Sequence, residues 1–349
     1  MKKTSMKVWF ALVCAAILMP GSLAMAQVEL PMSTVYMNTH PTVVNAWQPW
    51  FSQVSEKTRG ELKLIYYNPN TLASLPDVYD STVSGMIGLG GMDFSRNPGK
   101  FPLYTVMELP GMAPSAECGS LVVWDLYQKY PEMQKELSEI KVLWQWVSAT
   151  FQIHTTKKLV KNLADLKGLK IIAWNKTSVS ILNALDANAI MIPPTDSYLA
   201  LERGMADGIL CPLAPIVSFK ISEAVNYTTV CDLFVTPFWA GIGRQVWKSL
   251  PESAQQILTE TTGESMASRS GLTLDEGALK DSRLLKEKGH AFYTLEAEEK
   301  AKWLDATTSL REEWVREMES LGHKNARAIM EDAYRLGKEY AKTTGACFK

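Results

Sequence analysis

The residues able to do covalent or metal chemistry are few and scattered. The four histidines, His40, His154, His290 and His323, form no H-E-x-x-H pair. None stands at ligand spacing from a cysteine. There is no C-x-x-C, no G-x-S-x-G elbow and no Walker loop. Gly88, Gly90 and Gly91 lie in a glycine-rich run over 84–93, but their spacing does not fit a dinucleotide fingerprint. That run reads as a strand ending in a tight glycine turn. Asp93 then reads as a turn-capping aspartate, or as the counter-charge of a bound cation. His40, beside Pro41, reads as a turn residue in a loop position where ligand contacts occur. No acid, base or nucleophile stands out, so no enzyme activity, metal or cofactor is expected. What remains is the chemistry of binding, and tryptophan, at eleven residues, is abundant enough to supply it.

Elements able to position such rings follow from periodicity. Residues 28–36 read as a strand. Val43, Trp47, Trp50 and Val54 then make one helical stripe, kinked at Pro49 and ended at Gly60. Residues 61–67 read as a second strand, and this alternation argues for α/β layers. Further strands are expected over 139–147, with Trp144 and Trp146 on one side, and over 168–174. A short helix over 195–203 ends at Gly204. Ser249 with Glu252 reads as a capping box opening a helix that runs to Gly289. That is about 35 residues against an average of roughly 11–12. A helix so long should bridge two lobes. Trp303, Leu310 and Trp314 form a last stripe.

The chain of 349 residues carries 36 Lys plus Arg and 37 Asp plus Glu, a formal charge of −1. Such a balance excludes phosphate-driven nucleic-acid binding. At 46% hydrophobic and 21% charged, the composition is that of a folded globular protein. The first 26 residues read as an export signal: Lys2, Lys3 and Lys7, an apolar run over 8–19, then Ala24-Met25-Ala26. Cleavage is expected before Gln27. Cys14 follows Val13, not the small residue of a lipoprotein site. The exported chain keeps Cys118, Cys211, Cys231 and Cys347, which allow three complete pairings or none.

Four motifs, in order, resemble the solute-binding proteins of TRAP transporters (the DctP-like family). Phe101-Pro102-Leu103 and Glu108-Leu109-Pro110 resemble its FPL…LP segment. Asp165 to Ile171 read D-L-K-G-L-K-I. Tyr198, Ala200, Leu201, Gly204, Asp207 and Gly208 match Y-x-A-L-x-x-G-x-x-D-G. Trp247, Leu250 and Pro251 match W-x-x-L-P. The resemblance runs from about Val28 to beyond residue 320. It implies an α/β, two-lobed periplasmic-binding-protein fold with a long helix bridging both lobes and a hinged ligand cleft. It also implies a periplasmic, monomeric receptor that hands a small organic solute to the TRAP membrane permease subunits. The lobes are expected over 27–147 plus about 237–270, and over 148–236 plus about 271–300. Residues 301–349 would form a C-terminal helical region packed on both.

Two family contacts are missing. The family's carboxylate-binding arginine follows K-I; here that position is Ile172. Its asparagine in D-G-x-x-N-P is replaced by Cys211. A carboxylate buried there without a partner would cost several kcal/mol. Aromatic residues lie nearby. Trp174 is read as pocket, whereas Trp144, Trp146 and Trp239 fit pocket or core equally. Phe238 lies with Trp239 near the return crossover. A flat aromatic solute is expected, an indole acid or an aromatic amino acid such as tryptophan, stacked on rings. Its acid group would turn to Arg96, Lys176, Arg244, Asn175 or backbone N–H groups. The alternative is an amine or quaternary ammonium caged by ring faces, with Asp93 as counter-charge. A sensor subunit presenting ligand to a membrane kinase would use the same features.

Overall fold

The computed structural model describes residues 27–348. The signal segment 1–26, its cleavage site and Cys14 lie outside the described residues. The strands are β1 (Val28–Ser33), β2 (Leu62–Tyr67), β3 (Leu89–Asp93), β4 (Ile140–Val147), β5 (Gln152–Thr155), β6 (Lys170–Ala173), β7 (Asn188–Met191), β8 (Gly208–Cys211), β9 (Tyr227–Val230), β10 (Pro237–Gly243) and β11 (Ala291–Thr294). They form two sheets, β2-β1-β3-β10-β4 and β11-β9-β5-β8-β6-β7. The chain leaves the first sheet after β4 and returns to it at β10. β10 is antiparallel to both its neighbours, β3 and β4. This is the α/β, two-lobed architecture.

The two crossovers run side by side. Ser148 N–H donates to the Thr236 carbonyl at 2.8 Å, and Phe151 N–H to the Phe234 carbonyl at 3.0 Å. Between them lies a buried polar clasp. Asp232 accepts from the Thr150 hydroxyl (2.8 Å), the Gln152 amide (2.8 Å) and the Lys300 ammonium (3.0 Å). The Gln152 carbonyl oxygen in turn accepts from the backbone N–H groups of Cys231 and Asp232.

The bridging helix differs from expectation. Residues 244–287 form three helices: Arg244–Ser249, Glu252–Glu260 and Glu264–Glu287. Ser249 does not cap anything; its hydroxyl donates back to the Val246 carbonyl. Pro251, which lacks an N–H, separates the first two helices. Gly263 separates the second from the third by adopting φ +69°, a conformation that costs glycine least. The remaining 24-residue helix still spans both lobes. Met266 and Leu274 pack in the first lobe, while Ala278 and Leu285 pack in the second. Asp275 fixes its midpoint by accepting from the N–H groups of Ala116 and Glu117, both at 2.9 Å. These two donors open the helix Ala116–Lys129 and lack intrahelical partners.

Pro49 has the predicted local effect. The helix widens into a π-turn over Val43–Trp47 just before it, then continues as Gln48–Lys57. The widened turn clears the carbonyl that the proline ring would strike. The glycine turn is corrected: Gly90 and Gly91 lie inside the buried strand β3. A side chain at Gly90 would strike the Thr82 hydroxyl and reach within 3.0 Å of the Trp239 ring. At Gly91 it would lie 3.2 Å from the Trp146 ring. These glycines make room for tryptophans.

Tryptophan is unevenly shared. Trp47, Trp50, Trp144, Trp146, Trp239 and Trp314 pack in the first lobe's core. The second lobe's clusters hold Trp303 and, half-buried, Trp174. Its sheet is covered on both faces. Ile171 and Ala173 pack towards Trp303, whereas Ile172, Ile209 and Cys211 face the opposite cluster with Leu213 and Ala278. All four described cysteines are buried free thiols.

Candidate functional site

On the first lobe, the carboxyl ends of β1, β3 and β4 and the start of β10 come together. Phe238 pairs in register with Asp93 on one side and Trp146 on the other. The Phe238 and Trp146 rings stack at 5.1 Å and 13°. Tyr36, just past β1, lies 6.1 Å from Phe238 and 6.4 Å from Trp146. His40 stacks on Tyr36 at 4.0 Å and 12°. The Trp146 indole N–H donates to the Tyr36 hydroxyl (3.3 Å), and the Tyr66 hydroxyl donates to the Tyr36 carbonyl (2.6 Å). Trp146 is fully buried, while Tyr36 and His40 are half-buried. Burial lowers the His40 pKa to about 4, so the imidazole is neutral near pH 7. Its Nδ1 accepts from the Thr42 N–H. The result is a neutral aromatic shelf.

At its edge stand two carboxylates and one guanidinium. Asp93 is buried, with the Arg96 Nε at 3.1 Å and the Ser95 hydroxyl as a second donor. Arg96 itself is exposed. Glu108 ends the 3₁₀ segment Pro102–Glu108 and is 4% exposed. Its Oε2 accepts from the Thr177 hydroxyl at 2.7 Å. Thr177 belongs to the helix Lys176–Ala184 of the other lobe, so this bond crosses the cleft. Burial raises the Glu108 pKa to about 7; the Thr177 bond opposes the rise and the Asp93 charge adds to it.

On the second lobe the two positions aligned with family contacts are apolar. Ile172 and Cys211 are fully buried beside Ala149 and Ile209. Neither offers a charge. Trp174 sits just beyond β6, half-buried. Its indole N–H donates to the Ser197 hydroxyl at 3.0 Å, and its edge meets Phe219 at 6.4 Å. Asn175 caps the helix Lys176–Ala184, its side-chain oxygen accepting from Ser178 N–H at 2.8 Å.

The structure thus gathers His40, Trp146, Phe238, Asp93 and Arg96 on one lobe, and Ile172, Trp174, Asn175 and Cys211 on the other. Trp239 is corrected. It occupies the opposite face of β10 from Phe238, fully buried with its ring 5.3 Å from Tyr79. Neighbours on a strand point to opposite faces, so one of the pair had to be core. The Asn175 side-chain oxygen is likewise committed to its cap. The sequence does not mark Tyr36, Glu108 or Thr177 as site residues. Glu108 is visible there only as part of the Glu-Leu-Pro motif, and nothing in its spacing singles it out. Among the described residues, no group of three or more His, Cys, Asp or Glu is placed to hold a metal ion. The arrangement can stack a ring, exclude water and hydrogen-bond a polar end.

Comparison with known proteins identifies the family and the fold. Residues 32–317 match the family model DctP, bacterial extracellular solute-binding protein, family 7. The outer membrane transporter protein TsaT of Comamonas testosteroni is 21% identical over 68% of this chain and 71% of its own length. Other curated relatives are matched over 65% and 49% of their lengths. A TRAP periplasmic solute binding protein from Desulfovibrio salexigens superposes with a TM-score of 0.82 at 27% identity, covering 92% of this chain and 98% of that one. A TRAP solute binding protein from Rhodoferax ferrireducens, crystallised with copurified benzoate, gives 0.81 at 23% identity, covering 90% and 99%.

Proposed function

Because the chain belongs to family 7 of the bacterial extracellular solute-binding proteins, a family of receptors and not of enzymes, we propose that it is the exported receptor of a TRAP transporter for a small aromatic acid. One observation carries the ligand class. Tyr36, His40, Trp146 and Phe238 stack into a shelf on the first lobe, and on the second lobe Ile172 and Cys211 stand at the two positions where the family motifs carry an arginine and an asparagine. A flat ring gains dispersion and quadrupole contacts on such a shelf, about 0.5–1.5 kcal/mol per aromatic pair beyond area burial. The benzoate in the Rhodoferax ferrireducens protein supports the same class. An indole acid or tryptophan fits the reading. The receptor acts in the periplasm as a monomer, cleaved before Gln27, and delivers the solute to the membrane permease. The Asp93 and Glu108 carboxylates favour one second reading, an amine held by ring faces.

The test is a thermal-shift screen of refolded, ligand-stripped protein beginning at Gln27. Its panel holds benzoates, indole acids, aromatic amino acids, amines and betaines, and dicarboxylates. Ligand at a hundred times its Kd adds about 2.7 kcal/mol of stability. A shift from aromatic acids is the expected result. A shift from amines alone transfers the assignment to the second reading, and a shift from dicarboxylates alone overturns both.

Trp174 gives a sharper check. Trp174→Ala is expected to weaken the aromatic ligand by about 2 kcal/mol, the scale of a truncated anchor. Isothermal titration measures it. Unchanged affinity with a lower melting temperature would assign Trp174 to the second lobe's core.

A further inference from the structure

We propose that Glu108 is a specificity-determining residue: its free oxygen meets the carboxylate of the aromatic solute at the lobe boundary, with Ile172 at the position where the family motif carries an arginine. The inference rests on the aromatic-acid reading above and identifies the group that reads the acid.

Glu108 is held at the lobe boundary by the Thr177 hydroxyl, where the two lobes meet. Only Oε2 is engaged among the described residues; no hydrogen bond reaches Oε1. Asp93, whose charge acts on Glu108, pairs in register with Phe238, the ring stacked on Trp146. Glu108 and Asp93 are thus near enough for one charge to act on the other, and Asp93 lies on the strand beside the shelf. The first turn of the helix Lys176–Ala184 stands opposite, and its Lys176 and Thr177 N–H groups have no intrahelical acceptor. A carboxylate seated there meets two kinds of donor: helix N–H groups and a neutral carboxyl.

The charged groups around Glu108 are few. Asp93, on β3, adds negative charge. Arg96 is turned to Asp93 at 3.1 Å. Arg311, on the neighbouring helix Ser309–Ser320, donates to the Pro110 carbonyl and lies over the Tyr334 ring. His40 is neutral. Lys176 is exposed at the helix start. With its pKa raised to about 7, Glu108 carries a proton in mildly acidic medium. In that form it donates to an anionic ligand. Once ionised it repels one. Affinity for an aromatic acid must then fall as pH rises through 7, by up to tenfold per pH unit for a single linked proton.

The experiment is titration calorimetry with 3-hydroxybenzoate and indole-3-acetate, each ionised throughout, between pH 5.5 and 8.5. The wild-type Kd is expected to rise about tenfold or more across the range. Glu108→Gln keeps a donor and the Thr177 contact but cannot ionise. It is expected to bind near the wild-type acid limit with a flat profile. Thr177→Val removes the bond between lobes, which holds the Glu108 pKa down, and is expected to keep the pH dependence but move it to higher pH. A flat wild-type profile overturns the proposal. So does a slope that survives in Glu108→Gln, or one that is lost in Thr177→Val. If neither acid binds at any pH, the aromatic-acid reading itself fails and takes the inference with it; binding with a flat profile leaves that reading standing.

Discussion

Asp232→Ala is expected to lower stability by about 3–5 kcal/mol, the usual result of breaking a buried charge pair from one side. The Asp232 side chain is 3% exposed, and that of Lys300 is 29% exposed. Removing the carboxylate strands the Lys300 ammonium and the Thr150 and Gln152 donors together. Backbone adds to the loss. Asp232 holds φ +44°, a region that asparagine and aspartate tolerate and alanine resists. Asp232→Asn should therefore cost less, because it keeps an acceptor and the conformation while losing the charge. Urea denaturation of both variants measures the difference. A loss below about 1 kcal/mol for alanine would show that the crossovers are held by their backbone bonds alone.

Gly271→Ala is expected to cost about 3 kcal/mol, at the upper end for overpacking. A methyl group there would lie 2.5 Å from the Ala116 carbonyl oxygen, 2.7 Å from its carbon and 2.5 Å from Glu117 Cα. All three are backbone atoms and cannot rotate away. The bridging helix must lift, and with it Asp275, whose two bonds hold the start of the helix Ala116–Lys129. Burial already raises the Asp275 pKa to about 6, so a lifted carboxylate loses the donors that offset its desolvation. Gly277 is the control. It lies in the same helix, and a methyl group added there would meet nothing within 4 Å. Gly277→Ala should therefore stabilise by up to about 1 kcal/mol through helix propensity. Thermal melts of the two variants should move in opposite directions.

Much of the architecture was legible from periodicity. The stripe of Trp47 and Trp50, the strand over 139–147 and the helix closing at Gly204 all follow from apolar spacing, because burial selects one face. The break after Glu260 was only partly legible: Gly263 marks a place where the helix could bend, but only its positive φ shows that the helix stops there. The glycines of β3 misled for a related reason. Gly90 and Gly91 look like a turn, yet their role is to clear space for Trp239 and Trp146, which arrive from strands far away in sequence. The site was half legible. Trp146, Phe238 and Asp93 are neighbours only through the register of three strands. Which of Phe238 and Trp239 faces the cleft depends on strand parity relative to that register. Glu108 depends on the closeness of two lobes, information that no local pattern contains.

The uneven distribution of tryptophan makes the molecule its own optical reporter. Six indoles are sealed in the first lobe's core, where solvent relaxation cannot reach them. Five of them lie away from the shelf and give a constant, blue-shifted emission, whereas Trp146 lies beneath it. Trp174 is half-buried at the edge of the opposite lobe. Its quenching by iodide should therefore report the enclosure of a ring by the lobes, since the buried indoles are shielded from the quencher. Trp174→Phe would darken that channel while leaving the bulk signal intact, and so separate the arrival of solute from the movement of the lobes in a single stopped-flow trace.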